Sequence, residues 1–273
     1  MTDSSSTHQV ENPPFDVSKP HTARVWNYLQ GGKDNYPVDR EAGDALKTLL
    51  PDIAEAARAD RQLLIRVVRY LAGEVGIRQF LDIGTGLPSA NNTHEVAQAT
   101  APESRIVYVD NDPLILTHAR ALLTSTPEGR TDYLHIDLED PAAIIREAAR
   151  TLDFTRPVAL TMLGILNHIM DTDEAYTIVN RLVEALPSGS YLVISHPTTD
   201  IHGDAVMAAV KFWNEGGGTP PVTARTREEI TRYFDGLELL EPGVVSSSLW
   251  RPEPSELGTP AEVIEYAGVG RKS

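Results

Sequence analysis

The sequence predicts a doubly wound α/β fold: a mostly parallel seven-stranded sheet with helices on both faces, an antiparallel C-terminal hairpin and an N-terminal helical cap. Three observations predict it. Five short β-rich runs alternate with helical segments between residues 79 and 214. The runs are apolar almost throughout, as strands are when helices cover both faces of a parallel sheet. The last two β-rich runs have no helix between them, so they are expected to pair antiparallel at the sheet edge.

Residues 1–18 are rich in Ser, Thr, Asn and Pro and read as a disordered tail. Residues 19–76 read as the helical cap. A short helix over Pro20 to Gln30 ends at Gly31-Gly32, and Pro37 suits the first position of a second helix reaching about Leu50. Pro51-Asp52 opens a long third helix, with Leu63, Leu64, Val67, Val68 and Leu71 at helical spacing and Gly76 as its stop. Residues 77–273 then carry the repeats. QFLDIG precedes a helix over Asn92 to Thr100, RIVYVD one over Pro113 to Leu123, and DYLHID one over Pro141 to Arg150. PVALTML precedes Asp173 to Leu186, and SYLVIS precedes Gly203 to Asn214. A helix around Arg227 to Phe234 leads to the closing runs GLELLEPGVV and EVIEYAGVG.

The net charge of −15 repels phosphate backbones and anionic lipid, so neither nucleic acid nor a membrane is expected as a partner. The chain has no cysteine, which excludes disulfides, thiolate zinc sites and cysteine nucleophiles. With a polar N-terminus and no apolar stretch of bilayer length, the expected location is the cytoplasm.

Ligands of open parallel sheets bind beyond the carboxyl ends of the strands, so the strand-end residues are the place to look. The first strand ends in Asp82-Ile83-Gly84-Thr85-Gly86, where the two glycines let the backbone turn tightly and approach a ligand. An ordinary glycine-containing strand–helix turn would read the same way. Asn92 with Glu95 three residues on has the form of a capping box for the next helix. The second strand ends at Asp110-Asn111. Asp112 already serves as N-cap before Pro113, which leaves Asp110 free to accept from the hydroxyls of a ribose. The third ends in Asp137-Leu138, where Asp140 supplies the cap before Pro141; Asp137 suits an adenine amine and Leu138 the ring face. Three successive strands ending in carboxylate-bearing turns point to a nucleoside ligand.

The motifs LDIGTG, YVDND and HIDLED, in this order, resemble the nucleoside-contacting motifs of the class I S-adenosylmethionine-dependent methyltransferases, whose seven-stranded Rossmann-like sheet also ends in an antiparallel hairpin. More narrowly, HTARVWNYLQGGKDNYPVDREAGD, RQFLDIGTGLPSANNTHEVAQ, VYVDNDP and YAGVGRKS resemble an actinobacterial S-adenosyl methyltransferase family long labelled a domain of unknown function. The resemblance covers about residues 18–271. It implies S-adenosylmethionine as cofactor and no metal. Gly84, Thr85 and Gly86 would meet its methionine and ribose portion, Asp110 the ribose diol, Asn111 the adenine, Asp137 and Leu138 the adenine edge and face. Asp82 would order the turn, and Leu163 would line the site from the fourth strand. The chain departs from the family pattern at Pro88, where a third small residue is common. A nicotinamide fingerprint would want glycine at Ser89 instead.

Two further patches follow. His168, just after the fourth strand, is the candidate base or acceptor-orienting residue; the bland alternative is a histidine near the cap of the next helix, where Asp171 and Asp173 stand. The segment Tyr28–Tyr36 is expected to fold over the sheet's carboxyl edge as a lid hinged at Gly31-Gly32, with Lys33 or Asn35 reaching the cofactor's carboxylate and Tyr28 as a wall. His196, Asp200, His202 and Asp204 lack metal-ligand spacing, Trp213 and Trp250 suit either a pocket or packing, and Ser195 lacks a hydrolase elbow. The expected function is methyl transfer to a small molecule. A cofactor-binding regulator without chemistry and a protein methyltransferase are the alternatives.

Overall fold

The computed structural model describes residues 16–88, 90–115, 124–254 and 258–273. Five parallel strands form its centre: β1 (Gln79–Ile83), β2 (Arg105–Asp110), β3 (Arg130–His135), β4 (Ala159–Leu163) and β5 (Tyr191–Pro197). β8 (Glu265–Arg271) runs antiparallel beside β5, from Tyr191 opposite Arg271 to Pro197 opposite Glu265. The order is β3-β2-β1-β4-β5-β8-β6. β1 therefore sits at the switch point, from which the chain winds outward in both directions.

The expected sixth strand is divided. β6 (Glu238–Leu239) and β7 (Val245–Ser246) both pair with β8, so the sheet has eight strands rather than seven. Pro242 has no N–H to give a ladder, and Gly243 turns at φ 86°, so GLELLEPGVV cannot continue as one strand.

Alternation along the strands sorts the core into two layers. Leu81, Ile83, Val107, Val109, Leu160 and Met162 pack against α5 (Pro141–Ala148), α6 (Thr172–Glu184) and α8 (Arg227–Arg232). Phe80, Ile106, Tyr108, Ala159 and Val193 face the opposite way, against α4 (Thr93–Thr100) and the second half of α3 (Ile53–Tyr70). Each fully buried Leu, Ile or Phe contributes about 1.5–3 kcal/mol, which fixes the register, because a one-residue slip would turn every such side chain to the wrong layer. Past Tyr70 the helix loosens into a π turn, Leu71–Val75, and stops at Gly76 in the left-handed conformation, φ 85°.

A third core joins α1 (Thr22–Leu29), α2 (Pro37–Leu49), the first half of α3 and α7 (Gly203–Glu215) through Val25, Leu46, Ala56, Val206 and Trp213. Helix α3 thus belongs to both the cap and the sheet. A buried ion pair, Arg24 to Asp39 at 2.9 Å, ties α1 to α2. The same Asp39 accepts from the Tyr36 and His21 amides, so α2 is capped and α1 anchored by one carboxylate.

The capping expectations hold where they are described. Asn92 and Glu95 form the capping box of α4, Asp140 accepts from the Ala143 amide, and Asp112 accepts from the Leu114 amide. The helix expected from Pro113 to Leu123 begins at 113, and its part beyond Ile115 lies outside the described residues. So do most of the expected tail, residues 1–15, and Ser89. Among the described residues no helix is long and apolar enough to cross a membrane.

Candidate active site

A cavity of about 280 Å³ opens at the carboxyl ends of β1, β2 and β4, under the cap helices. Eight of the sequence-predicted residues border it: Asp82, Gly84, Thr85, Gly86, Asp110, Asn111, Leu163 and His168. Their places follow from local structure.

Asp82 braces the floor. Its carboxylate accepts from the Thr93 hydroxyl at the start of α4 (2.5 Å) and from the Thr161 hydroxyl on β4 (2.8 Å). Burial pushes its pKa up, and those two bonds pull it back. The glycines then part company. A Cβ on Gly84 would stand 2.5 Å from the Ile165 side chain, so the space over Gly84 belongs to the protein itself. Gly86, at φ 62°, has nothing within 4 Å of its Cβ position and is the glycine whose bareness opens into the cavity. Its amide donates to Asp110 Oδ2 at 3.2 Å, while the Asp112 amide donates to Oδ1 at 3.0 Å. Asp110 therefore joins the glycine loop to the end of β2 and keeps lone pairs for a ligand. Burial raises it to about 6 against the pull of those two amides.

Asp137 and Leu138 do not border the cavity. Asp137 acts one step back, accepting from Asn111 Nδ2 at 2.8 Å and from the Glu139 amide at 3.0 Å. Leu138 is buried in the core cluster beside Val107 and Val109, so its side chain packs inward instead of presenting a ring face.

Tyr28, Lys33 and Asn35 are not on the cavity either, which corrects the lid expected from Tyr28–Tyr36. Asn27 gathers that segment onto the cap: its Oδ1 accepts from the Asp34 amide and from Asn35 Nδ2, both at 3.0 Å. Tyr28 turns to Asp44, donating at 2.8 Å, with Lys47 over its ring, and Lys33 is exposed. The roof comes from the other face of α1 and its lead-in, through His21, Thr22, Trp26 and Gln30.

His168 lies in a 3₁₀ turn, Leu166–His168, and the cap of α6 is Asp171. Its Nδ1 sits 2.9 Å from the Pro221 carbonyl and so carries the proton, leaving Nε2 as an acceptor, 3.5 Å from the Thr22 hydroxyl. Burial lowers its pKa to about 4, so the ring is neutral over the physiological range.

Several cavity residues escaped the sequence reading. Arg61 borders the cavity with no ion pair or hydrogen bond among the described residues, between the charges of Asp60 and Asp82. Asp60 and Glu265 line the end under β5 and β8, and Asn167 stands beside His168. One signal was available: Asp60 falls on the buried stripe of α3, in step with Ala56, Leu63 and Val67. Trp213 borders the cavity, as Trp26 does, and Trp250 is core. Among the described residues no group of three His, Cys, Asp or Glu is arranged to hold a metal, and His196 is held by Arg225 at 2.7 Å.

Switch-point sheet, bare Gly86 and a strand-end carboxylate together define a nucleoside-binding α/β protein. The profile of the S-adenosyl methyltransferase family matches residues 8–273, and the chain belongs to that family. It is similar to a Streptomyces avermitilis protein of the DUF574 family, 46% identical with a TM-score of 0.89 over 94% of this chain and 99% of that one. It is also similar to a Thermobifida fusca protein assigned to the methyltransferases, 42% identical with a TM-score of 0.86 over 96% and 99%. The plantazolicin methyltransferase BpumL shares the fold alone, at 10% identity and a TM-score of 0.53 over 92% of this chain and 95% of its own. None of the curated proteins compared with the chain matches it. The protein is an S-adenosylmethionine-dependent methyltransferase, and the cavity suits that cofactor: Gly86 leaves room where any Cβ would intrude, and Asp110 stands beside it.

Proposed function

We propose that this is a cytoplasmic enzyme that methylates a small molecule, with S-adenosylmethionine along the ends of β1, β2 and β4 and the acceptor beneath α1 and α7. The observation that carries the assignment is the Gly86–Asp110 bond at the rim of one cavity shared with Asn111 and Arg61. When bound, the cofactor supplies an electrophilic methyl group on sulfur. The chain's part is to bind, align and exclude water.

Asp110 would accept from the ribose hydroxyls, and Asn111, steadied by Asp137, would border the adenine. Arg61 takes the role first given to Lys33, pairing with the amino-acid carboxylate, because among the described residues it is the Lys or Arg side chain on the cavity wall. Asp82 keeps the loop in place, and Leu163 with Ile165 closes the side. His168 offers a neutral Nε2 lone pair that orients the acceptor; a ring that protonates only near pH 4 holds a hydrogen bond better than it removes a proton. A small acceptor is favoured because side chains of α1, α2 and α7 wall the cavity.

The test has two arms. Calorimetry with S-adenosylhomocysteine should show one site per chain. Incubation with labelled S-adenosylmethionine should move label into the low-molecular-weight fraction of a cell extract. Label appearing only in protein would overturn the small-acceptor reading, and binding with no transfer would make the chain a regulator.

A further inference from the structure

One end of the cavity is unlike the rest. Asp60 reaches it from α3, Glu265 from the start of β8 and Asn167 from the turn after β4. Ser195 on β5 donates its hydroxyl to Asp60 Oδ1 at 2.6 Å. Glu265 Oε1 lies 3.8 Å from where a Cβ on Gly164 would stand, which puts this carboxyl at the end of β4. Glu265 is 3% exposed and Asn167 7% exposed, yet Glu265 Oε2 and Asn167 Oδ1 have no hydrogen-bond partner. Neither Asp60 nor Glu265 has an ion pair among the described residues.

Arg61 acts on the charge of Asp60, but no cation acts on Glu265; a buried carboxyl without one is expensive, and a fold keeps such a group where a ligand repays it. Burial raises Asp60 to about 6; burial and then the charge of Asp60 raise Glu265 well above the usual carboxylate range. A cation entering this end would favour the ionised form of both carboxyls. His168 Nε2 and Asn167 Oδ1 add two more acceptor atoms. What satisfies this end must bring N–H donors and positive charge. Around it the walls are apolar: Leu50, Ile53, Val206, Ala209, Trp213 and Val222.

Resting on the cofactor placement proposed above, we propose that Asp60, Glu265 and Asn167 form the recognition site for the amino group of a lipophilic amine, the methyl acceptor. Its ammonium is the anchor and has no lone pair for the methyl, so that transfer goes to another atom of the molecule. An ammonium there pairs with the buried charge and meets both orphaned oxygens, while its hydrocarbon part lies along the walls. The cofactor carries an ammonium too. Its carboxylate partner Arg61 feels Asp60 and Asp82 most strongly, whereas Glu265 and Ser195 belong to β8 and β5, across β4 from β1. Glu265 is the carboxyl set apart from Arg61, and its place assigns this end to the acceptor.

The test is calorimetry on the full-length protein with octylamine, octanol and octanoate, each with and without saturating S-adenosylhomocysteine. Octylamine should bind at least tenfold tighter than octanol, and octanoate should not bind. Glu265→Gln and Glu265→Ala should each weaken octylamine at least tenfold and leave the S-adenosylhomocysteine affinity within twofold. Equal affinity for octylamine and octanol overturns the proposal, with no variant needed. A parallel loss of S-adenosylhomocysteine binding in the variants also overturns it, because the ammonium recognised is then the cofactor's own. Octylamine binding to a protein that does not bind S-adenosylhomocysteine keeps the amine site and removes the cofactor placement instead.

Discussion

Replacing Asp110 by asparagine separates the cost of the carboxylate to the fold from its use to the ligand. The side chain keeps its shape and loses its charge. In the folded protein that charge is unwelcome: burial raises the group from 3.8 to about 6, so at neutral pH the ionised form costs at most about 3 kcal/mol. The sign follows from the direction of the shift. A carboxyl raised on folding withdraws stability as pH climbs from about 4 through 6, and the substitution removes that penalty. Against it, asparagine can accept from only one of the Gly86 and Asp112 amides, and an unmet buried donor costs about 1–3 kcal/mol. The two effects oppose, so the melting temperature should shift by only a few degrees. Binding should respond in one direction only. Losing charge-assisted bonds to a ribose diol costs about 1.5–3 kcal/mol, a 10- to 150-fold rise in Kd for S-adenosylhomocysteine by calorimetry. In the parent protein the same loss should appear as pH falls below 6. A Kd within twofold of the parent, in a variant that melts normally, refutes the role given to Asp110.

The two glycines of the loop should fail in different ways. Both substitutions strain a positive-φ backbone, by about 1 kcal/mol, and Gly84→Ala also drives a methyl into Ile165, so it should lower the melting temperature more; Gly86→Ala meets empty space and should in addition weaken S-adenosylhomocysteine, by tenfold or more. His168 should stay neutral across pH 5–8, so its ring proton signals should not titrate there and the transfer rate should show no limb near 6.5; an NMR midpoint above 6 counts against this. Asp39→Ala strands Arg24 in the cap and uncaps α2; urea unfolding should show a loss of about 3–5 kcal/mol, and a loss under 1 would mean that the pair is idle.

Much of this was legible from residue order. The strand ends at Ile83, Asp110 and His135 are set by apolar runs meeting turn residues, a local signal. The caps at Asn92, Asp112 and Asp140 are local too. What the sequence hid depends on distant pairing. Whether the glycines at 84 and 86 face a ligand or a neighbour is decided by Ile165, some 80 residues on. The lid was misplaced because Asn27, not the Gly31-Gly32 pair, governs that segment, and a bond from Asn27 Oδ1 to Asn35 leaves no mark in composition. Arg61 lost to Lys33 for a related reason: a cation inside a long helix looks solvated until the helix is found to span two cores. Asp60 was visible in principle, since a carboxylate on an apolar stripe is a local contradiction, and such contradictions gather at sites.

A crystal structure of the protein with S-adenosylhomocysteine tests the central claim most directly. The account places both ribose hydroxyls at about 2.5–3.2 Å from the Asp110 carboxylate, the backbone of Gly86 against the ligand and the amino-acid carboxylate on Arg61. Ligand density elsewhere, or a ribose that Asp110 does not touch, would contradict it.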